Sequence, residues 1–288
     1  MLLDQLIVAL TLIVLLIASY IDIKTSEIPD LLNYSFLFGI FGLRLIFAIT
    51  GGWHIVLGGI LGFAVCYALA SLFYYTHQWG GGDSKLLMGV GAAIGIRYPL
   101  GNQSILLLWF LLGLLFIGAL YGLLWMIILG VQKRKQFVVA FTPLLAQYRI
   151  TNWSTGIVSL ILVIILGIWN ISLSWVGLFP IFLFYLIMFI KSIEQSCFTR
   201  EIPVQQLTEG DWLARDVIVH NRTVVHAKTI EREDLKELRS LHAQGKVHLV
   251  TIKEGVPFTP SFLASYLVVI VGYSYWIPVV ATFFGAAG

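Results

Sequence analysis

Charge is what this sequence has least of. Of its 288 residues, 11% are charged and 59% are hydrophobic, whereas a water-soluble domain carries about 25% charged and 45–50% apolar residues. Such a composition argues against a soluble enzyme, and a net charge of +3 says little by itself; no nucleic-acid partner is expected. Cysteine is nearly absent. Cys66 and Cys197 stand far apart without CxxC spacing, which argues against a disulfide framework or a zinc site. The histidines do not cluster, and His77 stands alone near a glycine loop. Without an HExxH motif or a Ser–His pair, zinc and serine intramembrane proteases have no support. "GGGDSK" at 80–85 lacks the P-loop spacing and follows no strand. The N-terminus has Asp4 where a signal peptide would carry basic residues, so the first apolar run reads as a span.

What is present is long apolar runs. A spanning helix needs about 20 apolar residues. Eight segments qualify: 4–21, 32–50, 53–74, 84–98, 104–130, 153–170, 174–190 and 261–284. The fourth is short for a bilayer and fits a thinned or protein-lined place. The expected fold is an all-α polytopic membrane protein of about eight helices. Its expected organisation is a membrane core over 1–191, a small α+β insert over 192–260 and a last helix over 261–288.

The charges orient the bundle. With eight spans, one face receives the loops 22–31, 75–83, 131–152 and 191–260. All of the 18 Lys and Arg residues except Arg44 and Arg97 fall on or beside that face. This predicts a cytoplasmic location for it, with both termini outside. Within the insert, Thr229 reads as the N-cap of a helix with acids in its first turn and Gly245 at its end. Leu235, Leu238 and Leu241 form its apolar face. A strand is expected over 247–253, with one or two more in 212–226.

Acids near spans are few, and charged groups there are often functional. Asp22 ends the first span in "ASYIDIKTSEIPDLLNY", and Asp83 begins the fourth in "GGGDSKLL". Two spans separate their loops, so parity puts both acids on one face although they are 61 residues apart. Two close carboxyl groups titrate as a unit, one keeping its proton. Such a pair can hydrolyse a peptide bond without metal or cofactor. The ionised carboxylate takes a proton from water, and the protonated one polarises the carbonyl. Glycines beside the acid permit close approach of a substrate. Plainer roles stand beside these: Asp83 as a helix cap, Asp22 as an interfacial residue, Asp30 as the N-cap of the second span, and Lys85 as an interfacial anchor.

Three segments together resemble the type IV prepilin peptidases and archaeal preflagellin peptidases, a family of GxGD membrane aspartyl proteases. "DIKTSEIP" at 22–29 matches the first aspartate followed by Ile-Pro. "GGGD" at 80–83 matches GxGD, and "GVPFTPSF" at 255–262 matches the stretch before the last span. The resemblance implies Asp22 and Asp83 as the catalytic pair. It also implies substrate-facing roles for Gly80, Gly82, Pro257 and Phe258, with no metal and no cofactor. Partners would be the lipid bilayer and pilin or archaellin precursors cut at the cytoplasmic face, after a short basic leader. Glu27 and Asp30 would attract that leader or stand solvated. The first cytoplasmic loop lacks the cysteine tetrad of many bacterial members, which resembles the archaeal branch. Asp30 stands where the family often has Asn. Presenilin-like proteases differ: Ile21, not Tyr, precedes the first acid here, and the Pro-Ala-Leu motif is absent. A competing reading is an ion- or proton-coupled transporter with Asp22 and Asp83 as ion ligands. A third is a structural anchor for the insert.

Overall fold

A computed structural model describes residues 2–76, 78–97, 105–219, 222–253 and 255–283. His77 and the far ends of the spans expected at 84–98 and 261–284 lie outside them. Helix accounts for 77% of the structure. The chain divides into two compact units, Met1–Leu123 with Val256–Gly288, and Leu124–Gly255.

The first unit contains α1 (Leu2–Thr25), α2 (Asp30–Gly51), α3 (His54–Tyr75), α4 (Gly81–Ile94), the first part of α5 (Leu106–Gln132) and α10 (Thr259–Phe283). Helix α1 packs on α2, α4 and α10, and α4 lies against α2 and α3. Leu15, Ala18, Phe36, Ile40, Leu86, Leu87, Phe110 and Phe262 are buried together at its centre. Between apolar helices in lipid, close packing has to replace the hydrophobic effect. Helices α3 and α4 achieve it with glycine: a Cβ on Gly62 would stand 2.2 Å from the carbonyl oxygen of Gly91.

Helix α4 has only 14 residues, so its C-terminal carbonyls fall where water is scarce and need protein donors. Arg44 supplies them. Its guanidinium is buried and donates to Ala92 O at 2.9 Å, Ala93 O at 2.8 Å and Ile55 O at 2.8 Å. The Ile96 N–H donates to Gly58 O at 2.9 Å. Beyond it, Arg97 pairs with Asp4, at the end of α1 opposite Asp22.

In the second unit, α6 (Arg134–Gln147), α7 (Arg149–Trp169) and α8 (Phe179–Ser196) follow α5. A 3-10 stretch, Ile171–Leu178, opens α8, and Asn170 caps it by accepting the Ser172 N–H at 2.9 Å. Helix α6 corrects the loop expected over 131–152. It is too short and too charged at its start to register as a span, and it is held by packing. Phe137 stacks on Phe141 and meets Phe189 of α8 edge-on, while Leu144 is buried with Phe184 and Met188.

The expected count of eight spans is not reached among the described residues. Six helices are long and apolar enough to cross a membrane: Leu2–Thr25, Asp30–Gly51, His54–Tyr75, Leu106–Gln132, Arg149–Trp169 and Ile171–Ser196. Helix α4 is too short, and the apolar stretch Thr259–Gly272 of α10 is also shorter.

After α8 comes the small sheet region. Strand β1 (Thr199–Pro203) and β2 (Trp212–Leu213) both pair antiparallel with β5 (Leu249–Lys253), giving the order β1-β5-β2. Strands β3 (Val217–Val219) and β4 (Arg222–Val225) form a separate hairpin. Helix α9 (Arg232–Ala243) covers a core of Ile202, Val204, Leu213, Ile230, Leu238 and Val250, with Leu235 and Leu241 at its edge. The helix starts later than expected. Glu231 is the N-cap in a reciprocal capping box with Asp234, and Thr229 instead bridges to Trp212. Two acids spaced for the box satisfy two end groups at once, which a lone threonine does not. At the other end Gly245 has φ +69°. Its N–H bonds His242 O at 2.9 Å and the Lys246 N–H bonds Leu241 O at 3.0 Å, a Schellman ending.

Candidate active site

Asp22 lies in the last turn of α1 and is only 5% exposed. The helix stops just beyond it. Ser26 adopts a left-handed φ of 55° and donates its N–H to Asp22 O at 2.7 Å. Thr25 Oγ1 bonds Ile21 O and Glu27 O. Ile28 must then be extended because Pro29 follows it. Pro29 occupies the N-cap position of α2 and Asp30 is the first helical residue, which corrects the N-cap role expected for Asp30. Its carboxylate instead pairs with Lys85 at 2.5 Å, so Lys85 is an ion-pair partner and not a free anchor.

The Asp22 side chain reaches a distant part of the chain. Its Oδ2 accepts the backbone N–H of Thr259, first residue of α10, at 2.9 Å in a buried contact. A carboxylate there satisfies an unpaired N–H and faces the positive end of the helix. The segment "GVPFTPSF" is thereby brought to the first aspartate. Pro257 is buried. The Phe258 ring packs on Trp79 and Phe262 and over Gly118, where a Cβ would stand 2.5 Å from it.

Asp83 is the third residue of α4, with Gly80 as N-cap. Its carboxyl lies within electrostatic range of the Asp22 carboxyl. Its Oδ1 is buried with no hydrogen-bond partner. Ser84 steadies the turn by donating to Gly80 O at 3.0 Å. Gly82 touches the first motif directly: a Cβ on it would stand 3.1 Å from Ile28 Cβ and 3.4 Å from Ile28 N. Gly80 has open space around it apart from Asp83 Oδ2 at 3.8 Å. Trp79, just before the glycines, stacks on Phe73 at 4.6 Å. The same ring also meets Phe258 and Phe262, so it links the glycine loop to the start of α10.

Asp22, Asp83, Gly80, Gly82, Pro257 and Phe258 therefore gather at one end of the first unit. Glu27 is exposed, and Asp30 is exposed apart from its pair with Lys85. Sequence reasoning missed Asn33, Trp79 and Thr259. Asn33 is 2% exposed and donates Nδ2–H to Gly82 O at 3.2 Å. Its one sequence signal was an amide inside an otherwise apolar helix. Thr259 had none, because its role depends on where α1 ends. Among the described residues no three His, Cys, Asp or Glu side chains gather in a metal-binding group.

Apolar helices joined at one end by two carboxyl-bearing motifs define a helical membrane protein with two acids brought to one end, Asp22 buried and Asp83 partly so. Residues 9–130, which include both aspartates, match the type IV leader peptidase family. The preflagellin peptidase of Methanocaldococcus jannaschii is 40% identical over 93 residues, 30% of this chain and 39% of that protein. The preflagellin peptidase of Methanococcus voltae is 38% identical over 90 residues, 30% of this chain and 37% of that protein. The chain thus spans under two-fifths of the length of these relatives. No solved structure matches it significantly.

Proposed function

We propose that this chain is a membrane-embedded aspartyl endopeptidase of the archaeal preflagellin peptidase type. It removes a short basic leader from archaellin or pilin-like precursors at the cytoplasmic face. The observation that carries the reading is the approach of Asp22 to Asp83. Helix α1 packs on α4, Gly82 lies against Ile28, and Trp79 meets Phe258 beside the Thr259 N–H that Asp22 accepts. The end of α1 with Asp22 and the start of α4 with Asp83 thus come together. In the proposed reaction the two carboxyl groups hold one proton between them. The ionised one draws a proton from water as the water attacks the scissile carbonyl. The protonated one polarises that carbonyl and then supplies the leaving amine with its proton.

The substrate class comes from the resemblance to preflagellin peptidases, and a site at a helix end agrees with it. A precursor whose hydrophobic helix lies in the bilayer keeps its basic leader in water, and its junction falls at the level of the pair. Glu27 is the exposed acid available to the leader, since Asp30 is occupied by Lys85. Gly80 leaves open space beside Asp83 for the substrate backbone. Pro257 and Phe258 act by setting the start of α10, and Gly82 by letting Ile28 approach. Residues 192–260 form a cytoplasmic insert between the membrane core and the last helix, and both chain ends lie outside.

The test is cleavage of a preflagellin precursor in membranes holding the full chain. Asp22→Asn and Asp83→Asn should each abolish it with expression unchanged. Full activity in either variant removes the pair from the mechanism. EDTA should leave the rate unchanged; loss restored by a divalent metal argues for a different chemistry.

A further inference from the structure

Among the described residues four side-chain polar atoms are buried without a hydrogen-bond partner: Ser19 Oγ, Asn33 Oδ1, Asp83 Oδ1 and Thr259 Oγ1. All four belong to the surroundings of the acid pair. Asp83 is one of the acids, and Thr259 donates its N–H to the other. Ser19 precedes Asp22 by three residues, so the two share a face of α1. Asn33 holds the carbonyl of the residue before Asp83. Buried polar groups are almost always paired, so unpaired ones on the residues that carry or flank the acids call for an explanation.

Asn33 stands out in this set because it has one working end and one idle end. Gly82 O can only accept, which makes Nδ2 the donor and leaves Oδ1 as the unpaired acceptor. As a packing residue at 2% exposure, an apolar side chain of the same size would serve better. Nor does Gly82 need it for satisfaction, because a first-turn carbonyl already faces the helix ladder. What the bond does is locate the first turn of α4. Helix α2 grips that turn twice, through Asp30 and Lys85 on the exposed side and through Asn33 and Gly82 on the buried side. Exposed ion pairs hold geometry weakly, so the buried amide is the firmer of the two.

We propose that Asn33 is a positioning residue of the peptidase: by holding the Gly82 carbonyl it sets the first turn of α4 so that the Asp83 carboxyl faces Asp22. This rests on the peptidase reading. The spacing of the two carboxyl groups determines how they share a proton, so a shifted turn changes both the rate and its pH dependence.

The experiment uses the full chain in lipid nanodiscs with a preflagellin precursor. Asn33→Leu, Asn33→Gln and the reference Asp83→Asn are compared per folded molecule, with folding checked by thermal melting. In Asn33→Leu, kcat should fall about 10- to 100-fold, with KM within about threefold. The pH–rate profile should move, and Asn33→Gln, which keeps the amide, should recover part of the rate. If Asn33→Leu does not fold, Asn33→Ala carries the same expectations. A wild-type kcat and pH profile per folded Asn33→Leu or Asn33→Ala molecule, with Asp83→Asn inactive, overturns the proposal alone. Full activity in Asp83→Asn overturns the peptidase reading and this proposal with it.

Discussion

The Asp22 carboxylate accepts the Thr259 backbone N–H at 2.9 Å across 237 residues of sequence. One side chain thereby both stands in the acid pair proposed above and caps the helix that follows the sheet region. The two roles separate by substitution. Asparagine at 22 keeps an acceptor oxygen for Thr259, whereas alanine does not. Both variants should lose precursor cleavage. Only Asp22→Ala should also lose stability, by about 1 kcal/mol, as for other lost caps. Thermal melting in detergent beside the cleavage assay checks this. Equal stability of the two variants would mean that the Thr259 bond contributes nothing.

The three glycines before Asp83 are not equivalent. A Cβ on Gly82 meets Ile28 at 3.1 Å, whereas one on Gly81 meets only Tyr74, at 3.8 Å. Gly82→Ala must therefore displace the loop that carries Ile28 or the first turn of α4, and Gly82→Val more so. Overpacking of this kind costs about 1–3 kcal/mol. Cleavage should fall in the order Gly81→Ala, Gly82→Ala, Gly82→Val. Steady-state rates on a preflagellin precursor decide it, and equal effects at 81 and 82 would contradict the close approach.

Arg44 carries a prediction about stability. Arg44→Leu leaves the carbonyls of Ala92 and Ala93, at the end of α4, without their donor in a part of the fold where water is scarce. The loss should be roughly 2–6 kcal/mol, at about 1–3 kcal/mol for each of the two orphaned groups. Arg44→Lys should recover little of it, because one ammonium does not reproduce the guanidinium fork. Unfolding of the purified chain in mixed micelles measures both variants, and a near-wild-type Arg44→Leu would refute the assignment.

In the sheet region the capping box of α9 is testable apart from catalysis. Glu231→Ala and Asp234→Ala should each destabilise α9 by about 1 kcal/mol and should couple in a double-mutant cycle, because each acid serves the other's backbone. Hydrogen exchange over 232–243 reports the helix. The cleavage rate should stay unchanged; a loss of cleavage would tie the sheet region to the active site.

Much of this was legible from residue order. Long apolar runs require helices in lipid, and the six longest helices follow them. The leucine spacing in 232–243 marked the buried face of α9, and Gly245 marked its end. Other features were hidden because they depend on partners far away in sequence. Helix α6 has no sustained apolar run and is held by Phe189 and Phe184 of α8. Thr229 looked like a cap because the reciprocal geometry of Glu231 and Asp234 has no strong signature. Arg44 read as a charge at the far end of a span, since nothing in its neighbourhood announces the bare carbonyls of Ala92 and Ala93.

The acids themselves show where residue order stops. By itself the sequence determined that Asp22 closes one apolar helix and that Asp83 opens another behind flexible glycines, because hydropathy and backbone freedom are local properties. Tertiary packing decided the rest. Glycine contacts and the Arg44 fork hold the short α4 in place, while Asn33 and Ile28 hold its first turn. Thr259 ties Asp22 to α10. Each of these depends on distances between segments 11 to 237 residues apart, and such distances exist only once the helices have packed.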